Sequence, residues 1–247
     1  MQITGAIITK NEVSNIGECI LSLQAVCDEI IVLDSGSADN TIQLAQELNA
    51  ITYTETWQGF EHAKNRLNQL ATMPYVLNLD ADERLSPELI KSILSIKDSL
   101  SGAYEMNRLN NYCGSWIKHC GWYPDKKTRL FPKSTKWKGG VLHEYPDVSK
   151  ESLTHIIGDL LHYTYPTYEE HYNKLQEYAS LGANKLEGKS KFYLQFKYWL
   201  SPLFKFIKMY VLKLGFLDGN AGYILCRTSA IGQKRKFQIA LNKKSLA

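Results

Sequence analysis

The first hundred residues alternate short β-branched runs with stretches of helical spacing, and this rhythm limits the possible folds more than any other feature. ITGAIIT (3–9), EIIVLDS (29–35), ITYTE (51–55) and YVLNLD (75–80) read as strands. Between them, NIGECILSLQAVC (15–27), DNTIQLAQEL (39–48) and residues 59–71 read as helices, the second with Asp39 as a possible cap. Ser86, Pro87 and Glu88 then open another helix, with a capping hydroxyl, a proline in the first turn and an acid near the positive dipole end. The order predicts an α/β fold: a Rossmann-like, mostly parallel sheet with helices on both faces. Such sheets bind ligands outside the carboxyl ends of their strands. Asp34 and Asp80 fall at two of those ends, and Asp82 and Glu83 follow at once. Turn formation and helix capping are the alternative reading. It weighs equally for Asp39, but less for Asp80 and Asp82, because Ser86 is the better cap.

Residues 102–165 differ, with short β-like pieces (GAYEMNRLNNY, TRLFPK, LTHIIGDLLHYTY) among loops rich in Trp, Gly, Lys and His. Residues 167–186 and 191–214 are helix candidates, and no linker or repeat interrupts the chain. The expected organisation is a catalytic α/β part over 1–165 and a helical extension over 166–247. The net charge of +4 names no partner, although much of the lysine excess lies after residue 184. Five cysteines form no CxxC pair and no zinc spacing, which suggests reduced thiols in a cytosol. Cys113 and Cys120 are expected to pack rather than to bridge or bind metal. Residues 2–9 lack the basic start of a signal peptide, and no apolar run reaches the roughly 18 residues of a membrane span. A cytoplasmic protein is expected.

Two aspartates one residue apart can turn hard oxygens toward one divalent cation. Mg²⁺ and Mn²⁺ prefer such ligands, and Mg²⁺ usually adds substrate phosphates to one or two carboxylates. Alone the D-x-D pattern is weak; at the end of a fourth strand it says more. TKNE (9–12), LDSGSADNT (33–41), AKNRL (63–67) and LDADE (79–83) together resemble a family 2 glycosyltransferase with a GT-A fold, over roughly residues 1–145. WYPDKKTRLF (122–131), GGVLHE (139–144), LLHYTY (160–165) and GFLDG (215–219) more narrowly resemble bacterial lipopolysaccharide or lipooligosaccharide core β-glucosyltransferases.

That resemblance implies roles position by position. Asn11, Glu12 and Asp34 contact base and ribose. Ser35 stands where many relatives have a second acid. Lys64, with Arg66 nearby, approaches the nucleotide or diphosphate. Asp80 reaches ribose or sugar, and Asp82 ligates Mg²⁺ or Mn²⁺ with His143 as a possible partner. Glu144 is the expected base, with Glu83 and Asp125 as rivals. The implied reaction moves a hexose, glucose from UDP-glucose first, to a sugar hydroxyl of a lipid-linked lipopolysaccharide core acceptor. Inverting transfer fits the residues: one carboxylate takes the acceptor proton and positive charge meets the leaving phosphate, with no covalent intermediate. Trp116, Trp122 and Trp137 could stack on sugars or simply pack. No role is assigned to His119, His155, His162 or His171.

Two rivals remain from other classes. A nucleotidyltransferase lacks its glycine-rich, Arg-containing loop here, since GAIITKNE has one Gly and no Arg. A non-catalytic membrane-associated sugar or nucleotide binder predicts no turnover. A Rossmann dehydrogenase is disfavoured by the missing G-x-G-x-x-G. After Pro202, LFKFIKMYVLKLGFL places Lys205, Lys208 and Lys213 within about 140° of a helical wheel beside aromatic residues. That reads as a candidate for the inner face of an anionic membrane. Nucleic-acid binding is not expected.

Overall fold

The computed structural model describes residues 1–140 and 144–245. The order is β1 (Ile3–Thr9), α1 (Ile16–Gln24), β2 (Glu29–Asp34), α2 (Thr41–Glu47), β3 (Ile51–Thr54), α3 (Phe60–Leu70), β4 (Tyr75–Asp80), β5 (Glu83–Leu85) and α4 (Pro87–Ile96). There follow β6 (Ala103–Tyr112), β7 (Ser115–Ile117), β8 (Asp125–Pro132), β9 (Trp137–Lys138), β10 (Tyr145–Pro146) and β11 (Leu153–Tyr165). Three helices close the chain: α5 (Tyr168–Asn184), α6 (Lys191–Ile207) and α7 (Gly219–Ser245). Two compact units result. Unit 1 comprises 1–108 and 125–162, and unit 2 comprises 109–124 and 163–247.

In unit 1 the sheet runs in the order β3-β2-β1-β4-β8-β6-β11-β5. The β3-β2-β1-β4 part is parallel, as the strand-helix rhythm predicts, and β8 then joins β4 antiparallel. Strand β1 is buried along its whole length. Its alternation sends Ile3 and Ile7 into one core with Ile16, Ile20 and Leu23 of α1 and Leu89 and Ile93 of α4. Ala6 and Ile8 enter a second core with Ala63 and Leu67 of α3. Helices therefore cover both faces. The Ser86 hydroxyl caps α4 by accepting from the Leu89 N–H at 3.2 Å. Asp39 does not sit at the N-cap of α2, which is Asn40. Its carboxylate instead accepts from the Thr41 N–H at 3.1 Å and from the Val13 N–H at 3.3 Å, tying two loops together.

In unit 2, β7 pairs with the far end of β6. The helix expected over 191–214 ends at Ile207, and a π-turn over Lys208–Leu212 follows, closed by the Lys213 N–H on the Lys208 carbonyl at 2.9 Å. Helix α7 has no single apolar face, and its glycines hide it from a propensity reading. Two of them serve close packing. A Cβ on Gly222 would lie 2.1 Å from the Gly215 carbonyl oxygen, and one on Gly232 2.5 Å from the Leu175 side chain. All five cysteines are free. Trp122 packs edge-on against Tyr112 and beside His171, in the cluster that also holds Tyr165.

Candidate active site

The parallel registers bring three strand ends to one edge of unit 1. Thr9 of β1 pairs with Asp34 of β2, and Ile8 pairs with Asp80 of β4. Both acids singled out from the sequence therefore flank the end of β1, where an open α/β sheet binds its ligands.

The loops after β1 and β2 are laced together. Asn11 takes a left-handed backbone (φ 55°), a conformation Asn tolerates well. Its side-chain oxygen accepts from the Ala38 N–H at 2.8 Å, and its own N–H donates to the Ser37 hydroxyl at 2.8 Å. The Asp34 carboxylate is buried and accepts from the Gly36 and Ser37 N–H groups at 2.9 Å, as well as from the Ser37 hydroxyl. The Glu12 N–H donates to the Thr41 hydroxyl at 2.9 Å, and the Glu12 carboxylate accepts from the Asn15 amide at 2.8 Å. Asn11, Glu12 and Asp34 thus shape one loop pair.

A chain of alternating charges begins at Asp80. Lys64 of α3, only 2% exposed, places its Nζ 3.3 Å from Asp80 Oδ1 and 3.3 Å from Glu144 Oε1. Its ammonium also lies 4.6 Å from the centre of the Trp137 ring, a cation–π distance. Arg129 of β8 sends Nη2 to Asp80 Oδ2 at 2.8 Å and to Glu83 Oε1 at 2.6 Å. The fully buried Glu83 also meets Arg108 at 3.2 Å and accepts from the Asp80 N–H at 3.1 Å. Arg108 donates through Nε and Nη2 to Asp125 Oδ2 at 2.9 and 2.7 Å. Burial pushes the Asp80 carboxyl up, but Arg129 and Lys64 outweigh it and hold the group well below the usual carboxylate range. Asp125 moves the same way: burial raises it, and Arg108 and Lys127 pull it down further.

The fold joins Lys64, Asp80 and Glu144, three of the residues expected at the site. It does not join Arg66, whose Nε bonds Glu55 at 2.7 Å instead. Residues two apart on a helix face different ways. Glu83, the rival base, is sealed beneath two arginines, and Asp125 is held by Arg108 and Lys127. Trp137 is buried against Phe131 and cannot stack on a sugar. His143 lies outside the described residues.

His162, Arg129 and Arg108 were missed. Strand β11 pairs antiparallel with β5 so that His162 lies opposite Glu83, and its Nε2 sits 3.1 Å from Asp82 Oδ2. Only the flagged stretch LLHYTY pointed there; a pairing across 80 residues leaves no local signal.

Asp82 and His162 supply an oxygen and a nitrogen donor side by side. That set suits Mn²⁺ and, with phosphate oxygens added, Mg²⁺. No group of three or more His, Cys, Asp or Glu side chains among the described residues forms a metal cage. A cation here would need the ligand's own oxygens. Asp80 is already shared between two cations, yet its buried Oδ1 has no hydrogen bond. Thr9 Oγ1, Asn78 Oδ1 and Arg129 Nε are likewise buried without one. Buried polar groups are normally hydrogen-bonded, so each of these could take a further donor or acceptor.

The chain is similar to several known proteins. An uncharacterized glycosyltransferase of Rickettsia prowazekii is 29% identical over 238 residues, covering 90% of this chain and 81% of that one. The lipopolysaccharide core biosynthesis glycosyltransferase LpsC of Rhizobium meliloti is 26% identical over 251 residues, covering 94% and 88%. Among solved structures, S. aureus TarS 1–349 in complex with UDP-GlcNAc aligns with a TM-score of 0.49 and 14% identity, covering 99% of this chain and 92% of that one. The family description for glycosyl transferase family 2 matches residues 6–136, which span the parallel strands, the laced loops and the acids after β4. With more than half its length matched, the chain belongs to glycosyl transferase family 2.

Proposed function

We propose that this glycosyltransferase moves a hexose, glucose from UDP-glucose first, to a sugar hydroxyl of a lipid-linked lipopolysaccharide core acceptor, with inversion. One observation carries the reading: Lys64, Asp80, Arg129 and Glu144 form a single charge cluster at the carboxyl ends of the parallel strands. The likeness to LpsC supports the acceptor class. The reaction would take place on the cytoplasmic side of the inner membrane.

In this reading the loops carrying Asn11, Glu12 and Asp34 receive the nucleoside. Asp80, kept ionised by Arg129 and Lys64, accepts hydroxyl hydrogen bonds from the ribose or the hexose. Asp82 and His162 would hold Mg²⁺ or Mn²⁺ together with diphosphate oxygens. That ion supplies positive charge to the departing diphosphate. Glu144 takes the proton of the acceptor hydroxyl as its oxygen bonds to the anomeric carbon and the bond from that carbon to the diphosphate oxygen breaks. Its ion pair with Lys64 supports this role by tethering it one residue from Asp80. Lys64 then steadies both carboxylates through the cycle.

The test is turnover of a nucleotide-sugar panel by the purified chain and by Glu144→Gln. The variant should lose about 10²–10⁴-fold in kcat while donor affinity is kept. Unimpaired transfer by Glu144→Gln would move the base elsewhere, and no turnover of any UDP-hexose by wild type would overturn the donor assignment.

A further inference from the structure

Helix α6 wears its apolar face outward. Leu194 is buried with Ala183 of α5 and Phe237 and Ala240 of α7, and Tyr198 packs on the same cluster. On the opposite side, Phe192, Phe196, Trp199 and Leu203 fall within about 60° of a helical wheel. They are 78%, 52%, 70% and 55% exposed. A helix packed on a soluble core normally shows its polar face to water. Phe204, Val211, Leu212, Phe216 and Leu217 are also exposed. Contiguous patches of this kind mark interaction sites.

Charge identifies the partner. Residues 188–217 hold six lysines and no acid. Unit 2 as a whole has 15 Lys and Arg against 5 Asp and Glu, a net +10, whereas unit 1 has 14 against 20, a net −6. Lys191, Lys205, Lys208 and Lys213 are exposed on α6 and the turn after it. A second copy of the chain docked here would set one unit of net +10 against another. An anionic lipid surface instead takes the aromatic side chains at its headgroup–acyl boundary and attracts the lysines. Among the described residues no helix is long and apolar enough to cross a membrane, so the contact would lie on the surface.

We propose that α6 and the turn after it bind the surface of an anionic phospholipid bilayer, with Phe192, Phe196, Trp199 and Leu203 as the inserting side chains. This stands apart from the catalytic reading, because its readout needs no turnover. The full chain is sedimented with phosphatidylcholine vesicles, with and without phosphatidylglycerol, at low and raised salt. Binding should require phosphatidylglycerol and fade with salt. The double variant Phe192→Ser/Trp199→Ser should lose about tenfold or more in partitioning. Lys205→Glu/Lys208→Glu should also weaken it. Trp199→Phe should keep binding but reduce the fluorescence quenching by brominated lipids. Three outcomes would overturn the proposal: no binding of wild type to anionic vesicles at low salt, full binding by Phe192→Ser/Trp199→Ser, or sedimentation velocity showing that these residues hold two copies together.

Discussion

The two units treat charge and apolar surface in opposite ways. Unit 1 buries Lys64, Arg129 and Glu83 among its strands and helices, each paired with an opposite charge. Unit 2 leaves its lysines in water, and with them Phe192 and Trp199. Among the groups unit 2 does bury are the thiols of Cys120 and Cys226 and the imidazole of His171. Buried ion pairs are poor sources of net stability compared with apolar packing. Their presence in unit 1 therefore points to chemistry, and the wet aromatic face in unit 2 points to an interface.

The sharpest way to break this contrast is to remove the centre of the unit 1 cluster. Asp80→Ala leaves Lys64 and Arg129 buried without their shared partner. Unfolding by urea should show a loss of about 3–5 kcal/mol. A loss under 1 kcal/mol would mean that the charges relax into solvent and that the cluster is not built as described.

Acid should separate the units next. His171 is buried, and burial alone lowers its pKa from the ordinary 6.5 to about 4. A histidine with a depressed folded pKa is neutral in the folded state, so its contribution is intact above pH 6.5 and is lost as pH falls from there to about 4. The loss amounts to roughly 3 kcal/mol. Asp80 is lowered too, so what it contributes is kept until pH falls below the ordinary carboxylate range. Hydrogen exchange should therefore rise first in α5 peptides between pH 6.5 and 4, while β1 and β4 stay protected. Earlier opening of β1 and β4 would reverse the assignment.

The smallest effect is expected where a charge is exposed. Arg66 and Glu55 pair at 2.7 Å with both side chains about a third exposed. Arg66→Ala should cost under about 1 kcal/mol. A larger loss would place Arg66 in the buried network after all.

What the sequence disclosed followed from local signals. Strands β1 to β4 and helices α1 to α4 were legible because apolar period, Ser86 and Pro87 are written within a few residues of one another. Asp34 and Asp80 were legible because strand ends carry them. His162 and Arg129 were not, since each acts through a strand pairing that spans 80 and 49 residues. Strand β5 is three residues long and gave no period. Helix α7 was hidden by its glycines, which its close neighbours require. Of the long helix expected over 191–214, Lys191–Ile207 forms α6 and a π-turn over Lys208–Leu212 continues it.

Binding of UDP measured by titration calorimetry, with Mn²⁺ and with EDTA, tests the reading of the strand ends most directly. Wild type should bind more tightly with Mn²⁺, and Asp82→Ala and His162→Ala should each lose about 10–100-fold of that metal-dependent affinity. Equal binding by all three proteins in Mn²⁺, or full wild-type affinity in EDTA, would contradict a cation held by Asp82 and His162.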